Sequence, residues 1–89
     1  MTLAFLNPSR SFDEARKAVV FFGHDGMFEI RFFVETAALA DGQPLGTRMS
    51  EAQCLSAFDS MLTSIHDVAR KVYSHGRRNL NTLTAADFR

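Results

Sequence analysis

Between Ala18 and Glu35 the chain alternates short runs of large apolar residues with polar punctuation. Val19-Val20-Phe21-Phe22 and the stretch from Met27 to Val34 are rich in β-branched and aromatic residues, and His24-Asp25-Gly26 lies between them. Asp-Gly between two such runs is a strong hairpin signal. With Asp25 and Gly26 as a two-residue loop, Phe21 falls opposite Ile30, Val19 opposite Phe32 and Gly23 opposite Phe28. One hairpin face is then almost wholly apolar. The other carries Val20, Phe22 and Phe33 beside Glu29, Arg31 and Glu35, an amphiphilic surface that one short helix would not fully cover. A three-residue loop would shift this parity.

The flanking segments are shorter. Leu3 to Leu6 reads as a strand closed by the turn Asn7-Pro8-Ser9. Ser11 with Glu14 fits either a capped helical turn or a turn feeding the next strand. Thr36 to Ala40 has room for about one helical turn before Asp41-Gly42-Gln43-Pro44-Leu45-Gly46 breaks it.

The second half is helical in pattern. Ser50 and Gln53 form a capping box, and Met49 is placed to staple against Cys54. Leu55, Phe58, Leu62, Ile65, Ala69 and Val72 recur at spacings of three and four, an amphipathic stripe widened on one side by Cys54, Met61 and Val68. Gly76 is placed to end the helix, with Arg70, Lys71 and His75 near its negative end. Unbroken from Ser50 to His75 it would run roughly 38 Å, against a radius of gyration of ~13 Å for a domain of this size. It must bend, break or overhang onto a partner, and Thr63-Ser64 is the expected weak point because hydroxyl side chains compete for backbone bonds. Thr84-Ala85-Ala86-Asp87 is a second capping-box pattern, with Leu83 and Phe88 as its staple pair.

These elements predict an α+β fold: a small antiparallel sheet of about three strands, with the hairpin at its centre, packed against a long C-terminal helix. The 89 residues suit one domain, with a sheet-rich half over 1–41, a loop over 42–49 and a helical half over 50–89. No apolar stretch approaches the ~20 residues of a membrane helix, and the start lacks the basic and apolar regions of a signal peptide. With a single cysteine, no internal disulfide forms, so a cytoplasmic protein is expected.

Ten basic and ten acidic residues cancel, so no overall field draws the chain to nucleic acid or anionic lipid. Nine Phe against one Tyr and no Trp favour packing over ligand chemistry. Cys54, on the edge of the helix stripe, reads as a small buried hydrophobe with no base or cation nearby to activate it. His66 reads as a boundary residue, His24 as a hairpin-loop residue and His75 as a complement to the helix dipole. No metal spacing, phosphate loop or nucleophile elbow is present, so no cofactor is expected and an enzyme has no positive support. Locally, five basic and two acidic residues from His66 onward make the last third basic. Arg70, Lys71, Arg77 and Arg78, with Tyr73 available to stack, are the candidates for binding phosphate or nucleic acid.

Several stretches resemble the family of short bacterial proteins grouped as domain of unknown function 1488. They are Phe5-Leu6-Asn7-Pro8-Ser9-Arg10-Ser11-Phe12-Asp13, Val20-Phe21-Phe22-Gly23-His24-Asp25, Phe32-Phe33-Val34-Glu35, Lys71-Val72-Tyr73-Ser74-His75-Gly76-Arg77-Arg78 and Leu83-Thr84-Ala85-Ala86-Asp87-Phe88. The resemblance spans nearly the whole chain and implies a compact α+β fold without an assigned activity. From the residues themselves, the excess of apolar surface over available core points to a non-catalytic interaction or accessory module that forms a homodimer. Val20, Phe22, Phe33 and Met61 are its interface candidates, and weak phosphate or nucleic-acid binding through the segment from Arg70 to Arg78 is the alternative.

Overall fold

The hairpin is the centre of the computed structural model, which describes residues 3–5, 9–40, 50–76 and 78–88. Its strands are β3 (Ala18–Asp25) and β4 (Phe28–Glu35). The loop is Gly26-Met27 rather than Asp25-Gly26, because Asp25 pairs with Phe28. Gly26 has φ of +62° and Met27 does not share the left-handed region, the pattern of a type II′ turn with glycine first. Asp25 remains in the strand, where its carboxylate accepts a hydrogen bond from Tyr73 Oη at 2.6 Å. Phe21 therefore faces Phe32, Val19 faces Val34 and Gly23 faces Ile30. The register differs from the expected one by two residues, and an even slip leaves every side chain on its expected face.

Three further strands complete a five-stranded sheet, so the expectation of about three strands undercounts it. β1 (Leu3–Ala4) and β2 (Arg10–Asp13) both pair antiparallel with β3, Ala4 opposite His24 and Ser11 opposite Val20. The chain then turns through Glu14 to Lys17, so the segment after Ser11 takes its strand-and-turn form. Lys17, at φ of 52°, closes that turn. On the far side β5 (Leu80–Leu83) pairs parallel with β4, which makes the sheet mixed instead of wholly antiparallel. Its entry is fixed by Arg31 N donating to Asn79 O at 2.8 Å and Asn81 Nδ2 donating to Arg78 O at 2.7 Å.

A short turn of helix, α1 (Thr36–Leu39), follows β4 as expected. The capping box at Ser50 is formed on both sides, Ser50 N to Gln53 Oε1 at 2.8 Å and Gln53 N to Ser50 Oγ at 3.2 Å. Met49, its expected staple, lies outside the described residues. The helix does break, but at Met61 instead of Thr63-Ser64, giving α2 (Glu51–Ser60) and α3 (Leu62–Gly76). The competing hydroxyl is that of Ser60, which donates to Ser56 O at 3.1 Å. The radius of gyration is 12.6 Å. After β5 a 3-10 turn, Ala85–Phe88, is capped by Asp87, whose Oδ2 accepts from Thr84 N at 2.8 Å.

Val19, Phe21, Ile30, Phe32 and Val34 form the apolar floor of the core with Leu3 and Leu83. Ala38 and Leu39 from α1, Cys54 and Phe58 from α2, and Ile65, Ala69 and Tyr73 from α3 close it from above. Arg10 of β2 reaches across to α2 and grips Asp59 with both arms, at 2.8 Å each. That bond holds Asp59 below the usual carboxylate range and raises the Arg10 guanidinium.

Candidate interaction surface

Residues of the hairpin that point away from the core line a second face. All three helices place their buried residues on the core side, so among the described residues this outer face carries no helix. Strand register lays it out in rows: Ser11, Val20, Phe33 and Thr82 in one, Phe22, Arg31 and Leu80 in the next, and Ala4, His24 and Glu29 beyond. Val20 and Phe22 are half-buried, and Leu80 is 46 % exposed. Arginines shield the rings. The Arg16 guanidinium lies 4.5 Å over Phe33, and that of Arg31 lies 5.6 Å from the Phe22 centroid. Phe33 is only 4 % exposed and contributes little open surface. The long arginine stems cover apolar area while their charges stay wet.

Met61, the fourth interface candidate, stands apart from the other three. It caps the C-terminus of α2 and packs half-buried against the core on the helix side. Leu80 belongs to the outer face and was not recognisable from the sequence, because its placement depends on β5 pairing parallel with a strand some fifty residues earlier. The hairpin tip is also apolar, with Met27 98 % and Phe28 73 % exposed.

The basic segment is only partly assembled. Arg70 pairs with Asp67 at 3.3 Å and lies 5.0 Å over the Phe5 ring, so its charge is engaged on its own helix. Lys71 and Arg78 are exposed, and Arg77 lies outside the described residues. His75 Nδ1 lies 2.7 Å from Lys71 O; since a carbonyl only accepts, that nitrogen carries the proton.

The remaining candidates separate clearly. Cys54 is fully buried, and burial pushes its thiol up, the opposite of an activated nucleophile. His24 sits on β3 rather than in the loop, with Nδ1 buried and without a hydrogen-bond partner. His66 stacks flat on Phe5, centroids 3.9 Å apart and planes 3° from parallel. Among the described residues no three His, Cys, Asp or Glu side chains gather as a metal site. No described helix is long and apolar enough to cross a membrane.

These features define a two-layer α+β domain whose mixed sheet is covered by helices on one face and shielded by arginines on the other. The chain belongs to the family described as "Protein of unknown function (DUF1488)", whose match spans residues 3–84. No curated protein and no solved structure matches it. Two of the segments that carry the family resemblance meet in space, since the Tyr73–Asp25 hydrogen bond ties Gly23-His24-Asp25 to the end of α3.

Proposed function

We propose that this protein is a small non-catalytic interaction module that assembles with a second copy through the face of its sheet that no described helix covers. The supporting observation is the row Phe22–Arg31–Leu80 beside Val20, apolar side chains around one arginine on a sheet face that no described helix covers. The charges on this face favour a two-fold partner. Arg16 and Arg31 stand with Glu29 and Glu35, so the face carries both signs and a second copy of it offers carboxylates to the arginines and arginines to the carboxylates. Val20 and Phe22 are the principal contacts, and Phe33 supports them from beneath Arg16. Met61 belongs to this interface only if the helix layer also takes part. A lone, fully buried cysteine suits a reducing cytoplasm.

Light scattering across a dilution series tests this reading. At tens of micromolar we expect a mass of two chains, falling to one in the double variant Phe22→Ser/Leu80→Ser while the thermal midpoint extrapolated to low concentration stays near that of the wild type. A wild-type protein that is a single chain at all concentrations overturns it.

The exposed Lys71 and Arg78 favour a second reading, anion or nucleic-acid binding through Arg70, Lys71, Arg77 and Arg78. Retention of a single-stranded oligonucleotide at low salt, abolished by Lys71→Ala/Arg78→Ala, is its expected signature. Absence of retention at low salt disposes of it.

A further inference from the structure

We propose that the N-terminal strand is a pH-released strap: charging the His66 ring frees Phe5 from α3 and uncovers the strip of β3 around Gly23. The strap comprises Leu3, Ala4 and Phe5, and among the described residues two pairs, Leu3 with Asp25 and Ala4 with His24, hold β1 to the sheet. The rest of its hold is the buried Leu3 side chain and the Phe5 ring. That ring lies 3.9 Å from His66 and 6.0 Å from Phe21 by centroids, with the Arg70 guanidinium 5.0 Å from its centre. Phe5 thus joins β1 to two residues one helical turn apart on α3.

Neutral imidazole stacks on a phenyl ring without electrostatic cost. Imidazolium would be attracted to the ring, but here the ring already faces Arg70, and two like charges at i and i+4 repel. His66 is also half-buried, so its charged form loses hydration in the closed state. Burial first, and then Arg70, lower its pKa below the ordinary 6.5, while Asp67 opposes them weakly because it is already paired with Arg70. From the other elements, β3 presents the uncharged Phe21. β2 presents Arg10 opposite Phe21, its charge engaged by Asp59 of α2. On β3 the strap is faced by His24, opposite Ala4, and by Asp25, opposite Leu3, whose carboxylate accepts from Tyr73.

The sign follows from linkage. In the open state His66 loses the burial that lowers its pKa, while Arg70, on the same helix, goes on lowering it, so opening is independent of pH well above 6.5. As pH falls from 6.5 toward the lowered value, each unit favours the open state up to about tenfold, and below the lowered value the effect levels off. Opening lifts Leu3 and Phe5 from Gly23 and exposes Phe21 and Phe32 beside a bare stretch of β3.

Amide hydrogen exchange read by NMR from pH 8 to 5, corrected for intrinsic rates, tests the strap. Protection of the β1 amides is expected to fall by up to tenfold per unit below 6.5 while that of Phe32 stays constant, with the midpoint matching the titration of the His66 ring protons. His66→Phe, which keeps a ring on Phe5 without a titrating group, is expected to abolish the dependence, and His24→Gln to retain it. Flat β1 protection in the wild type, a parallel fall at Phe32, or a dependence that survives in His66→Phe would each overturn the proposal.

Discussion

Gly23→Ala is expected to lower the stability of the domain by about 1–3 kcal/mol, although alanine is ordinarily the better residue in a strand by roughly 0.5–1 kcal/mol. The reason is what already occupies the space. A Cβ at Gly23 would stand 3.1 Å from Leu3 Cδ1, 3.1 Å from Phe5 Cε1 and 3.2 Å from Phe32 Cε2. Phe32 is fully buried and stacked on Phe21 at 5.1 Å, so it has nowhere to go. Leu3 and Phe5 are the side chains able to yield, and their movement loosens β1. Urea unfolding should therefore show a lower midpoint with an unchanged slope, and β1 amides should lose more protection than those of β4. An unchanged or raised midpoint would mean that the three side chains adapt freely and that overpacking does not decide the outcome. Gly23 is therefore a notch in the sheet that lets the strap close, and any side chain there competes with it.

That notch is invisible to local pattern, and the contrast shows what a sequence of this kind discloses. The hairpin, its two faces, the Ser50–Gln53 cap and the Asp87 cap depend on residues within a few positions of each other, where periodicity and capping rules apply. The faces survived a misplaced loop only because the error was an even number of residues. Asp25 looked like a turn residue; Tyr73, 48 positions away, holds it in the strand instead. β5 escaped detection because Leu80 is exposed and Asn81 buried, the reverse of what composition suggests, and because its partner lies some fifty residues earlier. The helix break was foreseen from length alone, yet the choice among Ser60, Thr63 and Ser64 rested on which hydroxyl found a carbonyl. For the outer face, the apolar residues and Arg31 were legible, but Arg16, which covers Phe33, was not. Arg16 belongs to a turn distant from Phe33 in the chain and reaches it only after β2 and β3 pair.

Tyr73→Phe is expected to cost about 1.5–3 kcal/mol, the range for a hydrogen bond to a charged group, and to act at the hairpin tip more than in the core. The substitution leaves the ring, 95 % of whose residue surface is buried, and removes only the hydroxyl that donates to Asp25 at 2.6 Å, within the short range of charge-assisted bonds. Asp25 is half-buried, so water partly replaces the lost donor and the effect falls toward the lower end of that range. Asp25→Asn keeps an acceptor and is expected to cost less than Asp25→Ala. A double-mutant cycle of Tyr73→Phe with Asp25→Ala, read by urea unfolding, isolates the pair, and coupling below the error of the measurement would show that the bond contributes nothing to stability. Because Asp25 also pairs with Leu3, losing its anchor should weaken β1 in the same direction as Gly23→Ala. Two chemically unrelated changes, one that adds a methyl group under the strap and one that removes an oxygen beside it, therefore converge on the same element. Their combined effect should fall short of the sum, since a strap already open has no closed state left to lose.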